Sequence, residues 1–136
     1  MNEDEKAVGS AVDPGPPPMP SSVRIGTVSY GVTADPDDWM RIEHETQSKG
    51  FYGHTHNHSA MIYINPGSGG EVQRLTLWHE ILHALAEVTM GAPDFRNLQG
   101  APESKEDAEE AAVRMWEHPT LAVLRDNPGL VAYLTA

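Results

Sequence analysis

The pentapeptide His79-Glu80-Ile81-Leu82-His83 constrains this chain more than any other stretch. Two histidines four residues apart project from one face of an α-helix, one turn apart. The surrounding residues support the helix. Positions 71–89 contain neither proline nor glycine, and Leu75, Ile81, Leu82 and Leu85 recur at helical intervals. Two neutral imidazoles so placed can hold a single Zn²⁺ ion from the same side. Glu80, beside the first histidine, can reach a water at the open position of the ion. Seven histidines make a coincidental match easier than usual. However, burying two histidines and a glutamate in an apolar stretch without partners would cost several kcal/mol, roughly 2–7 for each unpaired polar group. The pattern is therefore read as metal binding, and H-E-x-x-H on a helix is the pattern of zinc peptidases.

The rest of the composition sets bounds. A chain of 136 residues with 39% hydrophobic residues predicts one small domain with a modest core. The absence of cysteine excludes disulfides and thiolate-ligated zinc. A formal net charge of −11 argues against nucleic acid as a partner, because phosphate binding needs a basic surface. No apolar run is long enough to span a bilayer, and the N-terminus lacks the apolar centre of a secretory signal. The expected location is therefore the cytoplasm.

Residues 1–22 read as a disordered, acidic, proline-rich tail, with polyproline-type extension through Asp13-Pro14-Gly15-Pro16-Pro17-Pro18-Met19-Pro20. Residues 23–136 read as the folded domain. Positions 23–32 predict a first strand with a bulge or bend at Gly26 or Gly31. Asp35-Pro36-Asp37-Asp38 is a turn that can cap a short helix through Trp39, Met40 and Ile42. An extended stretch starts at positions 50–53, and Met61-Ile62-Tyr63-Ile64 is a strand. The motif helix follows and stops near Gly91. Ser104-Lys105-Glu106-Asp107 predicts the capping box of a second helix that ends near Glu117, ahead of Pro119. A separate helical piece is expected at 120–125, then a last one opening on Pro128.

A catalytic zinc takes three protein ligands and keeps one open position. Without cysteine, the third ligand must be His, Asp or Glu. No further histidine follows the motif closely, and His118 lies beside Pro119 at a helix end. The second helix offers Glu106, Asp107, Glu109 and Glu110. Glu110 is favoured, being near the apolar face marked by Val113, Met115 and Trp116; Glu109, with Ala112, Val113 and Trp116 at helical spacing, is the alternative. Glu106 and Asp107 read as solvated acids of a helix first turn. His54, His56 and His58 read as part of a solvated loop rather than as ligands. Trp78 and Trp116 read as core.

Beyond the motif, the chain resembles the glutamate-zincin metallopeptidases, most of all the small ImmA/IrrE-like group encoded by phages and bacteria. The resemblance rests on Val23-Arg24-Ile25-Gly26, Tyr30-Gly31-Val32, Gly50-Phe51-Tyr52-Gly53-His54, Met61-Ile62-Tyr63-Ile64, the run from Thr76 to Leu85 around the motif, Glu109-Glu110-Ala111-Ala112-Val113, and Leu124-Arg125-Asp126-Asn127-Pro128. It covers about residues 23–134. It implies an α+β fold, with a small antiparallel or mixed sheet packed against the motif helix and a second, ligand-bearing helix. It also implies an edge strand, expected at positions 61–64, that takes up extended substrate by strand addition. The sequence departs from the family where many members carry an acid four residues after the ligand glutamate: here that residue is Arg114.

Together these readings predict a zinc-dependent metallopeptidase that hydrolyses peptide bonds through a zinc-activated water. It would hold one Zn²⁺ ion on His79, His83 and Glu110, with Glu80 as general base. Tyr52, Tyr63, Tyr133 and the histidines at 54–58 are candidate oxyanion donors. The expected partner is a protein or peptide substrate, with no nucleic acid and no membrane. A phage-encoded copy would act in the host cytoplasm or with the virion. Two rivals stand beside this reading. One is a non-catalytic zinc-binding regulator or phage structural protein on a peptidase-like fold, in which zinc is a staple. The other is a zinc hydrolase of non-peptide amides such as cell-wall fragments.

Overall fold

The computed structural model describes residues 15–47, 51–91 and 105–136; the side chains of Met90, residues 105–111, Val113 and Arg114 lie outside that description. The elements in chain order are β1 (Ser22–Ile25), β2 (Val28–Thr33), α1 (Pro36–Thr46), β3 (Gly53–His56), β4 (Met61–Ile64), α2 (Gly70–Met90), α3 (Lys105–Asp126) and α4 (Pro128–Leu134). The fold is α+β. The four strands form one mixed sheet in the order β1-β2-β4-β3, with β1–β2 and β3–β4 antiparallel and β2–β4 parallel.

The single strand expected at 23–32 is a hairpin. Gly26 sits at φ 61° in its two-residue loop, a position where a positive φ is needed and glycine supplies it. Strand β4 is buried on both faces. Ile62 and Ile64 join the main core, whereas Tyr63 packs with Trp39 and Ile42 of α1. That places β4 inside the sheet and corrects the expectation of an edge strand at 61–64. The edge next to the motif helix is β3. A strand with apolar residues on both faces is the ordinary signature of an interior position.

Helix α1 begins as the sequence indicated. The Asp35 carboxylate accepts from the N–H groups of Asp37 and Asp38, and Pro36 occupies the first turn. Helix α2 runs to Gly91, whose φ of 63° closes it. It buries Leu77, Ile81, Ala84 and Leu85 against the sheet. Leu75, expected on that apolar face, is 71% exposed.

Helix α3 is continuous from Lys105 to Asp126, with Pro119 inside it, and this corrects the expected break before Pro119. Proline removes one ladder bond and crowds the carbonyl four residues back. The Thr120 hydroxyl, next in the chain, donates back into the same turn, with the carbonyls of Trp116 and Glu117 both within reach. Trp116 and Val123 are both held against the core, which fixes the helix on either side of the proline. The capping box expected at Ser104 lies outside the described residues. Between α3 and α4, Asn127 accepts from the Arg24 N–H and donates to the carbonyls of Arg24 and Val123, tying the open edge of β1 to the helices. The proline-rich tail through Pro14 lies outside the described residues; Met19 packs against the core, and the Ser21 carbonyl accepts from Val32 N–H. Among the described residues no helix is long and apolar enough to cross a membrane.

Candidate metal centre

Helix α2 carries His79, Glu80 and His83 at mid-length, well inside both ends. Residues 77, 81, 84 and 85 face the sheet. The helical rotation then turns His79 and His83 outward, and both are exposed. Their Nε2 atoms lie 3.1 Å apart, with the rings edge to face. Two nitrogens each about 2.0–2.1 Å from one tetrahedral zinc ion would be separated by about 3.3 Å. The observed spacing is close to the separation two ligands of a shared ion would have. Each ring would then carry its proton on Nδ1, leaving both Nε2 lone pairs for the ion.

A third ligand for such an ion would come from another element. Among the described residues no group of three His, Asp or Glu gathers around a common point. Glu109 and Glu110, the alternatives for that ligand, belong to α3, which packs beside α2. Their side chains, and that of Arg114, lie outside the described residues.

Glu80 turns inward rather than outward and is only 6% exposed. Thr55 Oγ1, from the neighbouring edge strand, lies 2.5 Å from its Oε2 and 3.0 Å from its main-chain oxygen. Gly53, two residues earlier and on the same side of β3, allows this approach. A Cβ there would lie 2.6 Å from Thr76 Cγ2, 3.0 Å from Glu80 Cγ and 3.1 Å from the Tyr63 carbonyl. Neither Thr55 nor Gly53 was singled out from sequence as a partner of Glu80. The available signal was the alternation of small residues with His54 and His56, which marks one strand face as built for close packing.

A cleft of about 250 Å³ opens over His79 and Glu80, walled by Phe51, Tyr52, Gly53, Leu75 and Thr76. Phe51, Tyr52 and Leu75 are each more than half exposed, so its rim is apolar. A second recess of about 500 Å³ adjoins it across Leu75, between Glu71, Arg74, Trp78 and Leu134. The cleft orders the tyrosine candidates. Tyr52 borders it, whereas Tyr63 packs against α1 on the far face of the sheet and Tyr133 is buried on α4.

Two of the three histidines at 54–58 depart from a solvated loop, whereas His58 lies in the exposed turn after β3. His54 and His56 belong to β3. The His54 ring lies between Trp39 and Phe51, at centroid distances of 5.4 and 5.6 Å, and its Nε2 is the one fully buried side-chain polar atom without a partner among the described residues. His56 Nδ1 pairs with the Ser59 hydroxyl at 2.6 Å. Trp39, uninformative in the sequence, is a core residue. No protein-family model, no curated protein and no solved structure matches this chain.

Proposed function

We propose that the protein is a zinc-dependent metallopeptidase of zincin-like architecture. The observation that carries this reading is the pair of Nε2 atoms, 3.1 Å apart on α2, next to a buried glutamate in an open cleft. His79 and His83 would hold the ion, with Glu110 or Glu109 from α3 as third ligand. Bound zinc would supply Lewis acidity, polarising a peptide carbonyl and acidifying a water. Glu80 takes the proton from the attacking water and returns it to the leaving amine. Of the tyrosine candidates, Tyr52 borders the cleft and would be the donor to the developing oxyanion. Phe51, Tyr52 and Leu75 offer an apolar wall to substrate side chains, so a peptide with a large apolar residue beside the cleaved bond is the fitting substrate.

The test combines metal analysis with peptide cleavage on wild type, Glu80→Gln, His83→Ala, Glu109→Ala and Glu110→Ala. The expected result is zinc and cleavage in the wild type, and loss of both in His83→Ala and in one of the two carboxylate variants. Glu80→Gln should keep zinc and lose cleavage. Full activity of zinc-loaded Glu80→Gln would refute the mechanism. Zinc without cleavage of any peptide would favour the regulatory or structural alternative.

A further inference from the structure

We propose that Thr55 is a positioning residue for Glu80: edge strand β3 reaches across to α2 and fixes the carboxylate so that one oxygen stays free for proton transfer. The inference rests on the reading of Glu80 as general base.

Glu80 has three rotatable side-chain bonds and, left alone, would spread over several rotamers. It is also buried, and a buried carboxylate needs a donor. Among the described residues its carboxylate has one hydrogen-bond partner, the Thr55 hydroxyl, at 2.5 Å. That length is typical of a hydroxyl donating to a charged oxygen. The hydroxyl has a single proton and two oxygens of Glu80 within reach. The main-chain oxygen, being interior to α2, already accepts the helical N–H from four residues on. The proton is therefore available to Oε2. Among the described residues the bond from Thr55 goes to Oε2 and not to Oε1, Oε1 is not among the fully buried unpaired atoms, and Glu80 lines the cleft. The bond thus divides the carboxylate into a held oxygen and a working one.

Thr55 is suited to the holding role. A β-branched side chain on a strand has few χ1 choices, so its hydroxyl does not wander. The strand is fixed in turn by pairing with β4, where Thr55 lies opposite Ile62. Gly53 sets the distance, since any side chain there would meet Glu80 and Thr76. The residue 25 positions away in sequence thereby acts on the helix with the precision of a neighbour.

The experiment uses full-length zinc-loaded protein carrying Thr55→Val, Thr55→Ser or Thr55→Ala. Steady-state cleavage is measured beside the ¹³C resonance of the Glu80 carboxylate, assigned through Glu80→Gln. Thr55→Val removes the hydroxyl at nearly constant volume; Thr55→Ala does so without the second methyl, should the valine variant fold poorly. The expected result is bound zinc, KM within about twofold of wild type and kcat lower by about 10- to 100-fold, as for loss of one hydrogen bond to a charged group. Thr55→Ser should recover most of the rate, and the Glu80 resonance should move in Val and Ala but not in Ser. A kcat within twofold of wild type in Val and Ala, or a Ser variant as slow as they are, would overturn the proposal. If the wild type cleaves no peptide, the general-base reading falls. The carboxylate resonance then still decides whether Thr55 holds Glu80, and an unmoved signal in Val and Ala would overturn that too.

Discussion

Replacing Gly53 by alanine tests how closely the sheet must approach the motif helix. The new Cβ would stand 2.6 Å from Thr76 Cγ2, 3.0 Å from Glu80 Cγ and 3.1 Å from the Tyr63 carbonyl. Thr76 can relieve the first contact by changing rotamer, although it is only 7% exposed and hemmed in. The Tyr63 carbonyl belongs to β4 and cannot move without disturbing the β3–β4 pairing. Strand β3 must therefore lift from α2 by a few tenths of an ångström. Overpacking of this kind costs about 1–3 kcal/mol. In a domain of this size that lowers Tm by about 4–12 °C. Thermal unfolding followed by circular dichroism, with urea midpoints as a second measure, reads the effect. Gly129→Ala is the control: nothing lies within 4 Å of its Cβ and it sits in helix α4, so alanine should stabilise by about 0.4–1 kcal/mol. Because Gly53 sets the distance between Thr55 and Glu80, Gly53→Ala should also slow cleavage. Combined with Thr55→Val, the kinetic losses should be less than additive. A Gly53→Ala protein that melts at or above the wild-type temperature would refute the close-approach argument.

Three further outcomes follow from the geometry. Asn127→Ala removes the side-chain bonds to Arg24 and Val123 and should cost about 1–3 kcal/mol, read from urea midpoints. Tyr30 and Tyr133 have phenol pKa values raised above 10.0, mainly by burial, with Glu87 adding to the rise at Tyr30 and Arg74 opposing it at Tyr133. Above pH 10 the unfolded chain loses these protons before the folded one, so stability should fall as pH rises past 10. Tyr133→Phe should reduce the slope of that loss in denaturant titrations. If zinc occupies the proposed centre, a chelator should lower Tm of the wild type and leave that of His79→Ala unchanged. An ion present at 100 times its Kd contributes about 2.7 kcal/mol to wild-type stability.

Much of the local structure was legible in the residues themselves. Asp35-Pro36 capped α1, Gly91 closed α2, and Pro128 opened α4, because these signals act through backbone groups a few positions away. Two local readings failed for tertiary reasons. Pro119 sits inside α3, since burial on both sides of it outweighs one lost bond. Leu75 matches the apolar spacing of α2 and yet is exposed, because the cleft and not the sheet lies over that part of the helix.

By itself the sequence determined the identity and spacing of His79, Glu80 and His83, the helix that carries them and the exclusion of cysteine chemistry. A four-residue separation on a helix is a geometric statement wherever the helix packs. Only the tertiary structure decided that β3, rather than β4, is the sheet edge beside that helix, that Thr55 meets Glu80, and that Phe51, Tyr52 and Leu75 rim one cleft. Strand order depends on which faces can be buried together, and a hydrogen bond across 25 residues depends on the distance between two packed elements. Neither quantity is written into any local run of residues.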